Sequence, residues 1–291
     1  MDTNLHTTPA FARPIPVDVV IPCYNEQESL PKLAKALEAL RLRLGKHYSA
    51  SFIFVDDGST DATPELLQRL FGANNDCKSI RLEPNQGIAA ALLAGIQNSS
   101  AEIVCTIDSD CSYDPCELAH MIPMLIDGVQ VVTASPYHAE GRVLDVPASR
   151  LILSKAASRL YRLVLHQKLA TYTSCFRVYR RSAIASLAIS DYRFAGVAEI
   201  LGRLDLQGAV IIEYPTTLRV RSSGSSKMKL CRTIIAQLAV LFRLGCARWL
   251  HERHASEVMS LERTFSGESM HHPAKIEILT VQKGRDHATD H

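Results

Sequence analysis

Four short segments with the sequence of β-strands constrain the fold of this chain more than any other feature of its sequence. They are Val17–Ile21, Ser51–Val55, Ser79–Leu82 and Ile103–Ile107. Stretches with helical spacing of apolar residues separate them, over 25–44, 63–70 and 88–97. Parallel strands need crossover connections, which are usually helices. The alternation therefore predicts an α/β fold with a mostly parallel sheet and helices on both faces.

Polar clusters directly follow these strands, and ligands of such sheets bind at the carboxyl ends of strands. Asp108-Ser109-Asp110 follows the fourth segment, which is apolar throughout apart from Thr106. Two carboxylates separated by one residue can both face one cation, and Mg²⁺ and Mn²⁺ prefer oxygen ligands. Burying two unpaired carboxylates after an apolar strand would be costly. We therefore predict that Asp108 and Asp110 hold Mg²⁺ or Mn²⁺, the alternative being an exposed turn.

Two further clusters follow the first and second strands. In the run 56–61, Ser59 or Asp61 is placed to cap the next helix. Capping does not explain the two acids Asp56 and Asp57 directly after a buried strand, where a carboxylate can accept a hydrogen bond from a nucleobase or a ribose. In the run 22–26, Tyr24 is suited to pack on a base, and Asn25 or Glu26 to cap a helix. Taken separately, each cluster fits a structural role as well as a functional one.

Together with Asn85-Gln86-Gly87, the three clusters resemble, in order and spacing, family 2 glycosyltransferases of the GT-A fold. The resemblance covers about residues 17–230. The run 173–181 is similar to a stretch of the dolichol-phosphate mannosyltransferase-like branch, and the run 221–227 to the RxxGxSK pattern of that branch. Enzymes of this branch transfer mannose, glucose or related sugars to a polyprenyl phosphate.

The resemblance implies an inverting transfer of a hexose from a nucleoside-diphosphate sugar, such as GDP-mannose or a UDP-sugar, to a polyprenyl or dolichyl phosphate. It implies a magnesium or manganese cofactor on Asp108 and Asp110, which with Glu199 form the expected catalytic set. The residues expected to bind the donor are Pro22, Tyr24, Glu26, Asp57, Asp108 and Ser109. Those expected to bind phosphates or the acceptor are Arg150, Ser154, Arg221 and Lys227.

The acceptor has an alternative: a soluble or glycan hydroxyl, with Glu199 as the base. Many relatives have Glu-Asp where this chain has Glu199-Ile200. A phosphate oxygen is already anionic and needs no strong base, so the missing Asp favours the phosphate acceptor. Further departures from the branch are Ile88, Pro136 and Cys175, the last of which replaces a glycine.

Two other functions fit less well. A nucleotidyltransferase needs a glycine-rich phosphate loop and a lysine near the first strand, and 22–25 supplies neither. A non-catalytic scaffold at a membrane surface would not need both Asp108 and Asp110.

Charge is distributed unevenly along the chain. Residues 1–141 carry a net charge of −9 and residues 142–251 a net charge of +13. The basic half indicates an anionic partner, for which we expect a membrane surface rather than nucleic acid. The predicted helix 150–167 has a basic stripe of Lys155, Arg159 and Arg162 beside an apolar face, which suits a membrane interface or packing on the sheet.

The expected organisation is a disordered tail over 1–16, a catalytic domain over 17–230, an amphipathic helix over 231–250 and a disordered polar tail over 251–291. The longest uncharged run near the end, 233–242, is shorter than the roughly 20 residues of a membrane span. The eight cysteines form no CxxC pair, and residues 1–16 lack an apolar signal region. These features predict a cytoplasmic protein with reduced thiols, peripheral at the cytoplasmic face of a membrane, and they specify no oligomeric state.

Overall fold

The computed structural model describes residues 13–220 and 230–268, and in them one sheet of seven strands organises the fold. The strands are β1 (Ile15–Cys23), β2 (Tyr48–Asp56), β3 (Cys77–Arg81), β4 (Ile103–Thr106), β5 (Val131–Ser135), β6 (Arg142–Leu144), β7 (Arg177–Arg180), β8 (Ile211–Pro215) and β9 (Thr217–Arg219). The sheet order is β3-β2-β1-β4-β7-β5-β8, in which β7 runs antiparallel to both neighbours and the other pairs are parallel. Strands β6 and β9 form a separate parallel pair. The predicted α/β class with a mostly parallel sheet is confirmed.

Helices connect the strands. They are α1 (Leu30–Leu44), α2 (Thr63–Phe71), α3 (Ile88–Gln97), α4 (Leu118–Met121), α5 (Ala148–Val164), α6 (Arg181–Ile184), α7 (Phe194–Leu206) and α8 (Leu230–Glu268). Between β4 and β5, the short helix α4 is flanked by 3₁₀ turns at Pro115–Glu117 and Ile122–Met124. Pro123 lacks the backbone N–H that a continuous helix would use there, which fits this interruption.

Both faces of the sheet are covered, which explains why its central strands read as continuous apolar runs. Val17, Val19 and Ile21 of β1 pack with α1, α2 and α4, whereas Val20 packs on the opposite face with α3, α5 and α7. On α1, five leucines at helical spacing are all buried: Leu30, Leu33, Leu37, Leu40 and Leu44. The sequence periodicity thus identified the face of α1 that packs on the sheet.

The chain divides into a first unit that ends at Arg248 and a second that begins at Trp249. In the second unit, the Arg253 guanidinium lies 4.5 Å from the centre of the Trp249 ring. Helix α8 continues to Glu268, beyond residue 250, where the sequence predicted that a polar tail begins. Within the described residues, Arg232–Leu250 is long and apolar enough to cross a membrane, judged by length and composition only, and the uncharged-run criterion did not identify it.

Candidate active site

The ends of β1, β2 and β4 bring the three polar clusters to one edge of the sheet. Cys23 and Asp56 are register partners at the ends of β1 and β2. The Asp57 amide donates to the Cys23 carbonyl at 2.8 Å, and the Ile107 amide donates to the Val20 carbonyl at 3.1 Å. The residues that follow these strands are therefore neighbours, as the parallel topology predicted.

Asp57 holds the loop between β3 and α3. Its Oδ1 accepts a hydrogen bond from the Gln86 amide, and its Oδ2 accepts from the Gly87 amide and from Nδ2 of Asn85, each at 2.8 Å. Burial raises the pKa of Asp57, while the two amide hydrogen bonds act to lower it. The described contacts of this carboxylate position the loop, and its predicted contact with the nucleobase remains a prediction.

Gly87 is required at the end of this loop for two reasons. Its φ of 112° is one that L side chains rarely adopt, and a Cβ there would lie 2.5 Å from the carbonyl oxygen of Tyr192. The loop therefore passes directly against the segment before α7. The glycine of the run Asn85-Gln86-Gly87 is thus explained by the backbone geometry of this loop.

The loops that follow β1 and β2 are interlocked. Asn25 donates its amide to Ser59 Oγ at 2.9 Å, and its Oδ1 accepts from the Thr60 amide at 2.8 Å. The Glu26 amide donates to Thr63 Oγ1 at 2.8 Å, and Glu26 Oε2 accepts from Ser29 Oγ at 2.6 Å. The described contacts of Asn25 and Glu26 are therefore structural.

The same edge carries the other predicted donor residues. Pro22 is buried at the end of β1, and Tyr24 is half-buried. Asp56, beside Asp57, pairs with Arg81 at 2.6 Å and accepts from the Ser59 amide at 2.9 Å, which fixes the turn after β2. The fold thus places the predicted donor-binding residues together, and their contacts with a donor remain a prediction.

The acidic pair lies at the end of β4. Asp108 is half-buried, and Ser109 and Asp110 are buried. Asp110 Oδ1 accepts from the Ser112 amide at 2.9 Å, and Asp108 Oδ1 lies 3.0 Å from Cys175 Sγ. Burial, together with the Asp108 carboxylate, raises the pKa of the Cys175 thiol, so this side chain acts as a neutral donor.

The acidic pair fits a hard divalent cation, because it offers carboxylate oxygens beside a cavity. The described residues contain no group of three or more His, Cys, Asp or Glu side chains placed to hold a metal ion. Asp108 and Asp110 would therefore hold the cation with further ligands from outside this set. Phosphate oxygens of a bound nucleotide are the usual source of such ligands.

One cavity of about 100 Å³ brings the acidic pair and the predicted acceptor residue Ser154 together. Ser154 Oγ lies 2.7 Å from Thr173 Oγ1, and both residues line the cavity. Its apolar lining includes Ile88, Tyr113, Tyr137, Leu151, Phe194 and Val197. Arg150 lies on α5 four residues before Ser154, and Arg221 and Lys227 lie outside the described residues.

Glu199 lies elsewhere, at a buried position of α7. Its carboxylate accepts from the amides of Ser190 and Asp191 at 2.9 Å and from Arg203 Nε at 2.8 Å. Burial acts to raise the pKa of Glu199, but Arg203 and the two amides lower it by more than burial raises it, so the net shift is downward. Glu199 is not among the residues that line the cavity. The geometry therefore gives it the role of fastening the segment before α7, and it does not support Glu199 as a base.

Sequence reasoning did not identify Thr173 or Gln237, which both line the cavity. Thr173 stands inside the run 173–181, whose family resemblance was noted without a role for this residue. Gln237 is a polar residue within the apolar run 233–242, which is the signal in the sequence that could have identified it.

Comparison with known proteins places this geometry in context. The model of glycosyl transferase family 2 matches residues 18–187. Dolichol-phosphate mannosyltransferase of Pyrococcus furiosus is 29% identical over 231 residues, 78% of this chain and 63% of that protein. Undecaprenyl-phosphate 4-deoxy-4-formamido-L-arabinose transferase of Pseudomonas aeruginosa is 33% identical over 179 residues, 60% of this chain and 51% of that protein. The chain thus spans between half and two thirds of the length of these relatives.

Among solved structures, glucosyl-3-phosphoglycerate synthase of Mycobacterium tuberculosis in complex with Mg²⁺ and uridine diphosphate superposes with a TM-score of 0.59 at 18% identity. The match covers 79% of each chain, and at this identity it shows the fold alone, which is GT-A. The family match covers more than half of the chain and includes all three polar clusters. On these grounds, the chain belongs to glycosyl transferase family 2.

Proposed function

We propose that this protein is an inverting glycosyltransferase that moves a hexose from a nucleoside-diphosphate sugar to a polyprenyl or dolichyl phosphate at a membrane surface. One observation carries the proposal: a single cavity joins the acidic pair Asp108 and Asp110 to Ser154 of α5, between largely apolar walls. A charged sugar donor and a lipid phosphate need this combination of polar and apolar surfaces.

The compared proteins support both substrates. Two relatives are named for dolichol phosphate and undecaprenyl phosphate, and the M. tuberculosis neighbour was solved with Mg²⁺ and uridine diphosphate. GDP-mannose and UDP-sugars are the donors that we propose. Asp108 and Asp110 would hold Mg²⁺ or Mn²⁺, which when bound neutralises charge on the departing diphosphate.

The chemistry is a direct displacement. An acceptor phosphate oxygen attacks the anomeric carbon, its bond to that carbon forms as the bond to the diphosphate oxygen breaks, and the nucleoside diphosphate leaves with the electron pair. Attack from the face opposite the leaving group inverts the anomeric configuration. The attacking oxygen is already anionic, so no base is needed. The alternative hydroxyl acceptor would need one, and Glu199 is buried, engaged by its partners and outside the cavity lining.

The outer faces of α5 and α8 support a membrane location. Helix α5 packs inward through Ala157 and Tyr161, while Ile152 and Leu163 remain 69% and 76% exposed beside exposed basic residues. In the first unit, α8 exposes Ile235, Leu238 and Phe242 along one side at helical spacing. An apolar face with neighbouring cations suits the interface of an anionic membrane. We therefore propose a peripheral protein on the cytoplasmic face of a membrane.

Transfer assays test this function directly. Purified protein with Mn²⁺ is given radiolabelled GDP-mannose, UDP-glucose or UDP-N-acetylglucosamine, together with undecaprenyl phosphate, undecaprenol or a soluble sugar alcohol. We expect label in the lipid phosphate product only, with one of the donors, and loss of the product with EDTA. Transfer to undecaprenol or to the sugar alcohol at the same rate would refute the phosphate acceptor.

A further inference from the structure

The cavity contains a hydrogen-bond donor without a partner. Gln237 of α8 is 5% exposed, and its Nε2 is buried with no hydrogen-bond partner in the described structure. Leaving a buried donor unpaired forfeits the bond it made to water, so buried donors are rarely left unpaired. Gln237 lines the cavity that also contains Asp110 and Ser154. The unpaired donor therefore lies beside the place where the substrates are proposed to meet.

The other half of this amide is held in place. Tyr161 of α5 donates its hydroxyl hydrogen to Gln237 Oε1 at 2.5 Å, and both side chains are buried. This bond uses only the Oε1 atom of the amide, and Nε2 remains without a partner in the described structure. The contact joins α5 to α8 and fixes the amide orientation before any ligand is bound.

We propose that Gln237 Nε2 donates a hydrogen bond to an oxygen of the acceptor phosphate. This inference rests on the proposed function and adds a binding residue to it. Ser154 and Gln237 lie on the two helices whose outer faces are apolar, which is the side from which a lipid would arrive. The ionised oxygens of a phosphate accept hydrogen bonds, and a donor gains more from a charged acceptor than from a neutral one. Gln237 is thus a contact to the acceptor rather than to the nucleotide, which binds at the Asp57 edge.

Calorimetry with short acceptors tests this inference. Farnesyl phosphate, farnesol and inorganic phosphate are titrated in detergent into the wild type, Gln237→Met and the matched control Gln97→Met, whose glutamine is exposed at the end of α3. Methionine keeps the side-chain length and removes both the oxygen and the NH₂ of the amide. We expect the preference of the wild type for farnesyl phosphate over farnesol to fall about tenfold in Gln237→Met, with the affinity for the nucleotide unchanged. Inorganic phosphate should bind far more weakly than farnesyl phosphate.

The double variant Tyr161→Phe/Gln237→Met separates binding from folding. Gln237→Met alone leaves the Tyr161 hydroxyl unpaired and should lower the melting temperature, whereas the double variant removes both groups and should recover it. The loss of phosphate preference should persist in the double variant. An unchanged preference in both variants, or a loss of nucleotide affinity instead, overturns the role of Gln237. Equal affinity of the wild type for farnesol and farnesyl phosphate overturns the proposed acceptor itself.

Discussion

Cys175 Sγ lies 3.0 Å from Asp108 Oδ1, so the segment that leads into β7 contacts the acidic pair that follows β4. The branch that this chain resembles has glycine at this position. The thiol donates a weak hydrogen bond that helps to orient the carboxylate. Cys175→Ala should therefore raise the Mn²⁺ concentration that half-saturates donor binding about threefold, and Cys175→Ser should raise it less. Calorimetry at several Mn²⁺ concentrations measures this, and Cys246→Ala at an exposed position is the control. Equal Mn²⁺ dependence in all variants would refute the role of the contact.

Asp110 tests the metal assignment more strongly. Asp110→Asn keeps the size of the side chain but removes a charged ligand, so metal-dependent binding of the nucleotide sugar should fall at least about tenfold. The Ser112 amide can still donate to the side-chain carbonyl oxygen of this variant, so the fold should persist. Titration with Mn²⁺ and then with EDTA measures the effect. Asp114→Asn, at an exposed position four residues on, should bind as the wild type does. Metal-dependent binding that survives in Asp110→Asn would remove Asp110 from the metal site.

Glu199→Gln separates a structural role from a catalytic one. Removing the charge of the buried Glu199 side chain weakens its ion pair with Arg203, which is 34% exposed, and its bonds to two backbone amides, so this variant should melt at a lower temperature. The folded fraction should keep its turnover within a few fold, because Glu199 does not line the cavity. A base would give the opposite result, with turnover lost by a hundredfold or more and the melting temperature unchanged.

The same pair has a pH dependence of defined sign. The folded pKa of Glu199 lies below its usual value, so its stabilisation is present above the unfolded pKa of about 4.3 and is lost as pH falls through the folded pKa. The difference in unfolding free energy between the wild type and Glu199→Gln should therefore be largest near pH 7 and shrink below about pH 4. Chemical denaturation at both pH values measures it. A difference that does not change with pH would contradict the ion-pair account.

The sequence predicted the strands of the parallel half of the sheet from their strand-like patterns. It also predicted that the polar clusters of Asp57 and Asp108 lie at one edge, because the carboxyl ends of parallel strands meet there. Family resemblance singled out Ser154 as an acceptor residue, and the structure places it in the cavity that Asp108 and Asp110 also line. The sequence could not predict that hydrogen bonds occupy the Glu199 carboxylate. Two of its donors are the backbone amides of Ser190 and Asp191, and only the tertiary structure brings them there. The unpaired Nε2 of Gln237 could not be predicted either, because it depends on how α8 packs on Tyr161.

Asp57→Asn should loosen the loop that Asp57 holds. The asparagine would turn its own NH₂ group towards at least one of the three N–H donors that now bond the carboxylate, leaving that donor unpaired. We expect about 1–3 kcal/mol of lost stability and weaker binding of the nucleotide sugar. Thermal melting and calorimetry measure the two effects, with exposed Glu65→Gln as the control. Normal stability with weaker donor binding would instead favour direct contact between Asp57 and the base.

The exposed apolar side of α8 should bind membranes. Ile235 and Phe242 are 69% and 73% exposed, and burying a side chain of this size in the interface contributes about 1.5–3 kcal/mol. Ile235→Asp/Phe242→Asp should therefore lower the affinity for phosphatidylglycerol-containing vesicles at least about tenfold. Leu42→Asp on α1, where Leu42 is 76% exposed, is the matched control and should bind normally. Sedimentation with vesicles at low and high salt measures both the apolar and the electrostatic contributions, because salt screens only the latter.

Transfer to farnesyl phosphate in detergent should be retained by the double variant, since neither residue lines the cavity. Equal vesicle binding by the double variant and the control would show that α8 does not dock on the membrane, and loss of transfer in detergent would assign these residues to the site itself.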